Sequence, residues 1–301
     1  MANFSDSESR ILNLFEKGKQ FFFQGKNLKV IFSGKPTSSE GEPKTDIFAR
    51  CENVDTNEKF DLKISYKQAD ADFLENKISA DRAAQIFGSG WSSIIQRATE
   101  AIKSNFESRK LVYKVGHGRT EPGSITLGWK FEFVSGVKNG SLSGIVPLTV
   151  AQASDIYAGN NLSESKKNAT VNNMRIDNSG VADYILQADP NQIQTIDDVI
   201  RNLVLIKDFV ATKPAICFAC KALNCRTLHK DRKWDGDRPL AVYVNWHIAD
   251  GKLTPELIFN DPLTHKGNEI GRQLLTTLDQ LKVRTTCQLN AKNCKSDIIY
   301  S

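Results

Sequence analysis

Lys59-Phe60-Asp61-Leu62-Lys63-Ile64-Ser65-Tyr66-Lys67 alternates apolar and polar side chains with period two, which predicts a half-buried β-strand. Phe60, Leu62, Ile64 and Tyr66 share one face; Asp61, Lys63, Ser65 and Lys67 share the other. Upstream, Lys44-Thr45-Asp46-Ile47 leads into a second run, Thr45 to Glu52, with Ile47, Ala49 and Cys51 on one side. Leu28 to Ser33 is an earlier strand, left through the loop-forming stretch Gly34-Lys35-Pro36-Thr37-Ser38-Ser39-Glu40-Gly41. If the two later runs form a tight antiparallel pair, Asp46 opens one strand where Lys67 closes the next.

Working outward, Ile11, Leu14, Phe15, Phe21 and Phe22 recur near helical spacing and predict a helix over residues 9–24. Ser79 can cap a short helix running to Phe87, which Gly88-Ser89-Gly90 breaks. A second helix from Trp91 carries Ile94, Ile95, Ala98, Ile102 and Phe106 as a buried stripe. Lys110 to Val115 reads as a fourth strand. Beyond Gly116 the chain turns β-rich. Ile125 to Phe133 alternates, and Ser141 to Leu148 can return beside it through Lys138-Asn139-Gly140. Ile196 to Val210 predicts a helix. Ala215 to Cys220, Leu240 to His247 and Leu253 to Phe259 predict strands, the last two joined at Asp250-Gly251; Asn268 to Leu281 is a final helix. The expected class is α/β, more narrowly α+β, with a core over residues 1–120 and an integrated, β-rich extension with further helices over 121–301.

The 301-residue chain is long enough for a sizeable core. Its net charge of +5 permits a polyanionic partner without demanding one. No apolar run is long enough to span a bilayer, and the polar, acidic start Met1-Ala2-Asn3-Phe4-Ser5-Asp6 is unlike a secretory leader. The six cysteines therefore read as reduced thiols of a cytoplasmic protein.

A carboxylate set against a lysine suits phosphodiester hydrolysis. The acid can hold a divalent cation, and the lysine can orient water and offset negative charge in the transition state. Lys44-Thr45-Asp46 followed by Ile64-Ser65-Tyr66-Lys67 resembles the PD-(D/E)xK nuclease signature, and the element order over residues 9–116 resembles that superfamily's αβββαβ core. The style is that of type II restriction endonucleases with a neutral residue at the second acidic position. The resemblance implies a Mg²⁺ ligand at Asp46, a catalytic lysine at Lys67 and Ser65 in the second-ligand position. It also implies an additional acid at Glu16. Thr45 stands where the signature has proline, and Ser65 where it has Asp or Glu. A hydroxyl binds a hard cation more weakly than a carboxylate, so Glu16, Asp61, Asp72 or Glu75 would have to complete the site. Asp61-Leu62-Lys63 is a competing acid-x-lysine on the same strand face.

Weaker signals lie downstream. Cys217, Cys220, Cys225 and His229 have spacings compatible with zinc, although Cys217 and Cys220 would face opposite sides of a strand. His247, Asn260 and His265 form a loose His-Asn-His series. His117 and Arg119, in a glycine-flanked turn, are candidates for DNA contact; so are Arg232, Lys233 and Arg238, in a polar hairpin with Trp234. The sequence thus predicts a Mg²⁺-dependent endonuclease acting on double-stranded DNA, cutting both strands as a homodimer or by sequential nicking. Its rivals are a catalytically inactive nucleic-acid-binding protein on the same fold and a purely structural protein.

Overall fold

The computed structural model describes residues 4–69, 73–76, 78–138, 142–212, 216–228 and 231–301; the side chains of residues 4, 5, 227, 228 and 231–233 are not described. Helices and sheets are mixed along the chain, as in the α+β class. The chain divides into two compact units, each visited twice. The first comprises Met1–Leu74 and Leu148–Pro214, the second Glu75–Pro147 and Ala215–Ser301. The expected boundary at residue 120 coincides with neither unit's limits.

The first unit begins with α1 (Phe4–Asn13), β1 (Gln20–Phe23), β2 (Lys26–Gly34), β3 (Ile47–Asn53) and β4 (Lys59–Gln68). The helix expected over 9–24 therefore ends early. Gln24 and Gly25 both adopt positive φ and close a two-residue hairpin between β1 and β2. Phe21 is buried while Phe22 is 63 % exposed, the alternation of a strand rather than a helix. Period two and period 3.6 are hard to separate over so short a run.

At the crossing between units stands β5 (Phe73–Glu75). The second unit then gains α2 (Ala80–Phe87), α3 (Trp91–Glu100), α4 (Lys103–Glu107), β6 (Val112–Tyr113), β7 (Ser124–Val134) and β8 (Leu142–Ile145). Ser79 caps α2 by accepting from the Arg82 N–H, as its position predicts. The chain returns to the first unit through α5 (Val150–Ala158), α6 (Glu164–Lys167), β9 (Thr170–Val171), β10 (Met174–Arg175), β11 (Tyr184–Ala188), α7 (Ile196–Asn202), β12 (Leu203–Leu205) and α8 (Ile206–Thr212). The single helix expected over 196–210 is thus split by β12, which pairs with β11.

The sheet of the first unit runs β1-β2-β3-β4-β11-β12. Strands β1 to β4 form an antiparallel meander; β11 lies parallel to β4, with Ile185 opposite Ser65 and Gln187 opposite Lys67. The predicted fourth strand near 110–115 does form in part, as β6. It pairs with β7 and with Ile299–Tyr300 near the end of the second unit, however, not with β4. Its place is taken by β11. The core packs Leu62, Ile64 and Tyr66 of β4 against Ile47, Ala49 and Cys51 of β3, and Ile11 of α1 joins them. Each β4 residue named is fully buried. At roughly 1.5–3 kcal/mol per buried side chain, this face fixes the register of the meander, because a one-residue slip would expose it.

The second unit is completed by β13 (Cys217–Leu228), β14 (Asp231–Trp234), β15 (Val242–Ala249), β16 (Lys252–Ile258), α9 (Gly267–Gln280) and β17 (Ile299–Tyr300). Its sheet follows the order β14-β13-β7-β15-β16. Asp250 and Gly251, both at positive φ, turn β15 into β16 as expected. The hairpin expected between β7 and the 141–148 strand does not form: β8 pairs with β13, and residues 139–141 of the turn lie outside the described residues.

Candidate active site

Asp46 immediately precedes β3, and its backbone N–H donates to the Ile64 carbonyl oxygen of β4. This bond places the carboxylate at the start of β3, where burial desolvates it. The Tyr66 backbone N–H donates to Asp46 Oδ2 at 2.7 Å, and the Ser65 hydroxyl approaches the same oxygen at 3.4 Å. Ser65 is itself 1 % exposed. It therefore props Asp46 from below rather than offering a free oxygen at the surface. Lys67 follows on the same face of β4 and acts electrostatically on Asp46. Two further close approaches hold the segment. The Lys44 and Thr45 N–H groups donate to the Gly180 carbonyl, and a Cβ at Gly180 would lie 1.8 Å from the Lys166 oxygen. Thr45, in the position of the signature's proline, is buried, and its Oγ1 has no hydrogen-bond partner among the described residues.

The acid that α1 supplies is Glu8, not Glu16. Glu16 lies beyond the helix and is exposed. Glu8 is 6 % exposed, and its Oε2 pairs with Lys35 Nζ at 2.5 Å. Its neighbour Ser7 accepts a hydrogen bond from the Gln68 side chain at the end of β4, tying α1 to the site. Burial raises the pKa of Glu8 above the usual carboxylate range, and the Asp46 charge raises it further; Lys35 and Lys67 oppose this. Burial likewise raises Asp46, against the pull of Lys67 and the Tyr66 N–H. The site thus gathers Glu8, Asp46, Ser65, Lys35 and Lys67. A sequence signal for Glu8 existed: it stands three residues before Ile11, on the helix face that packs inward.

The competing Asp61-Leu62-Lys63 is already satisfied. Asp61 takes a two-point pair from Arg50, with both contacts at 2.7 Å, and Lys63 pairs with Asp183 at 3.1 Å. Glu75 pairs with the buried Arg82 in the second unit, and Asp72 lies outside the described residues. Among the described residues no group of three or more His, Cys, Asp or Glu side chains is arranged to hold a metal. The two carboxylates, Glu8 and Asp46, nonetheless fit a hard cation. They are oxygen donors, the Asp46 charge disfavours that of Glu8, and Mg²⁺ commonly takes only one or two protein carboxylates, completing its shell with water and substrate oxygens.

The remaining candidates lie in the second unit. His117 and Arg119 are exposed in a turn closed by reciprocal backbone bonds between His117 and Thr120, with Gly118 at positive φ. Arg238 is exposed ahead of α9. The side chains of Arg232 and Lys233 lie outside the described residues. Trp234 is packed on α9, where a Cβ at Gly271 would fall 1.5 Å from its ring. Cys217, Cys220 and Cys225 are buried in β13, and burial raises the pKa of Cys217 and Cys220, so they are packed thiols; His229 lies outside the described residues. His265 sits between Asp261 and Glu269, while His247 contacts the Asn245 carbonyl of its own strand. No helix of the described residues is long and apolar enough to cross a membrane.

No protein-family model, curated protein or solved structure significantly matches this chain. The functional reading therefore rests on the site's own geometry.

Proposed function

We propose that the protein is a Mg²⁺-dependent DNA endonuclease of the PD-(D/E)xK kind, with the phosphodiester cut at the first unit and the duplex gripped by the second. The observation that carries this reading is the convergence of Asp46, Lys67 and Glu8 at one end of the β3–β4 pair. With residues 75–147 set aside, the first unit runs α1-β1-β2-β3-β4-α5-α6-β9-β10-β11; a helix, an antiparallel meander, a further helix and a strand parallel to β4 occur in the order αβββαβ among additional short elements, which supports the reading.

Asp46 and Glu8 would hold the cation, which supplies charge neutralisation at the scissile phosphate. Lys67 would orient the attacking water and offset charge as the transition state forms. Ser65 and the Tyr66 N–H keep the Asp46 carboxylate aimed. Glu8, paired with Lys35, would be shared between that lysine and the cation.

The test is incubation of plasmid and phage DNA with the protein, with Mg²⁺ or with EDTA, beside Lys67→Ala. Discrete, metal-dependent fragments that vanish in the variant support the reading; intact DNA in every lane, Mn²⁺ included, rejects it. The neutral Ser65 favours a second reading, a DNA-binding protein that has lost catalysis. Salt-dependent DNA binding with no cleavage, unchanged in Asp46→Ala, would establish that alternative.

A further inference from the structure

The second unit contains a cleft of about 180 Å³ that the nuclease site does not use. Arg109 and Lys110 line it with Tyr113 and His117, the Lys110 ammonium also donating to the Asp297 carbonyl. The Tyr113, His117 and Tyr300 rings cluster there, the closest pair 4.6 Å between centroids. Its floor is the exposed Ala222 beside the edge of the largely buried Trp129 indole, which Phe106 meets edge-to-face at 5.0 Å, with the Thr126 hydroxyl and Asn224 carboxamide at one edge.

A backbone irregularity builds this floor. Along β13 and β7 the register slips between Leu223 and Asn224: Leu223 faces Gly128 but Asn224 faces Thr126, leaving Leu127 as the extra residue. Thr126 and Trp129 are three apart and would face opposite sides of a regular strand. The bulge returns both to the cleft, opposite Asn224 and Ala222, which are two apart and share a face. Gly128 is required there, because a Cβ would lie 2.5 Å from the Val242 carbonyl oxygen.

The amide is held in place. Asn224 Oδ1 accepts from Thr126 Oγ1 at 3.1 Å, and its Nδ2 donates to Asp235 Oδ2 at 3.1 Å. A carboxamide has two acceptor lone pairs and two N–H donors, so one of each is left for a planar ligand edge. Aromatic rings, a fixed donor–acceptor edge and cations at the mouth match the three parts of a nucleotide: ring face, base edge and phosphate.

We propose that this cleft binds one unstacked nucleotide, its base packed over Ala222 between the aromatic rings and the Asn224 edge and its phosphate at Arg109 and Lys110. The choice of a nucleotide over other planar anions rests on the nuclease reading of the first unit. An enzyme that takes a base out of the stack can inspect its full edge, which a groove contact cannot.

The experiment titrates the full-length Asp46→Ala protein with each of the four 2′-deoxynucleoside 5′-monophosphates and with inorganic phosphate, by calorimetry. Ala222→Phe is the blocking variant, since Ala222 is exposed on a strand and a ring there fills the cleft without entering the core. Lys110→Gln tests the rim. Saturable binding of at least one nucleotide, tighter than phosphate and weakened at least about tenfold by Ala222→Phe, is expected. No binding of any nucleotide up to about 10 mM, or binding untouched by Ala222→Phe, overturns the proposal. Thermal unfolding of each variant confirms that it is folded. If DNA is never cut but the cleft binds nucleotide, the nuclease reading fails and the cleft stands; the reverse pattern removes the cleft alone.

Discussion

Two acid–lysine pairs lie within a few residues of each other on the β3–β4 hairpin, and they have opposite fates. Asp61 and Lys63 are each matched by a fixed partner, Arg50 and Asp183. Asp46 is instead crowded by a second acid, Glu8, and both are driven toward the neutral form by burial. Half-buried, well-partnered pairs of this kind are ordinary structure. A pair of desolvated carboxylates beside lysines is a local conflict that a bound cation or a reacting phosphate would relieve, and such conflicts mark functional sites. The sharpest way to break this comparison is activity. Asp46→Ala and Lys67→Ala should each lower Mg²⁺-dependent cleavage by at least about a thousandfold. Asp61→Asn should leave the rate within about fivefold, as loss of a half-buried pair already satisfied by Arg50 predicts. Equal losses at Asp46 and Asp61 would abolish the distinction.

The alternation of Leu62, Ile64 and Tyr66 made the face of β4 legible in the sequence, and the antiparallel pairing of β3 and β4 followed from the two runs being adjacent. The parallel partner was not legible. Parallel pairing needs a crossover rather than a turn, and nothing local in Tyr184-Ile185-Leu186-Gln187-Ala188 names β4 as its neighbour across more than a hundred residues. The segment 79–115 offered a helix and strand in the right order, so it filled the role on paper. Asp46 and Lys67 were visible because strand ends and period fix them. Glu8 was missed because the helix expected over 9–24 began one residue after it, and the apolar series from Ile11 to Phe22 carried that helix on past Glu16.

The two faces of β4 sharpen the comparison through stability. Ile64→Ala removes a fully buried side chain and should cost about 2–5 kcal/mol in urea unfolding. Lys67→Ala, on the opposite face, should cost less than about 1 kcal/mol while removing cleavage. A Lys67→Ala protein as unstable as Ile64→Ala would make Lys67 a structural residue.

Glu8 separates the conflict from mere proximity. Glu8→Gln keeps the shape but removes the charge, and should lower cleavage by about 10–100-fold while raising the Mg²⁺ concentration needed for half-maximal rate. Glu16→Gln should do neither, because that side chain lies outside the cluster. Unchanged metal dependence in Glu8→Gln would restrict the metal to Asp46.

The smallest effect is the most direct reading of the conflict itself. Both carboxyls have folded-state pKa values above their unfolded ones, so between those values the native state binds more protons than the unfolded chain. Stability then falls as pH rises through that window and stays lower above it. Asp46→Asn, which cannot ionise, should therefore melt slightly higher than the wild type at neutral pH and no higher below the ordinary carboxylate range. A cation bound at the carboxylates works in the opposite direction. At about ten times its Kd, Mg²⁺ should add about 1.4 kcal/mol to the wild type at neutral pH and markedly less to Asp46→Asn. A wild type that gains nothing from Mg²⁺, and loses stability in Asp46→Asn at neutral pH, would mean that Asp46 is held as a structural anion by Lys67 and the Tyr66 N–H. The contrast with Asp61 would then disappear.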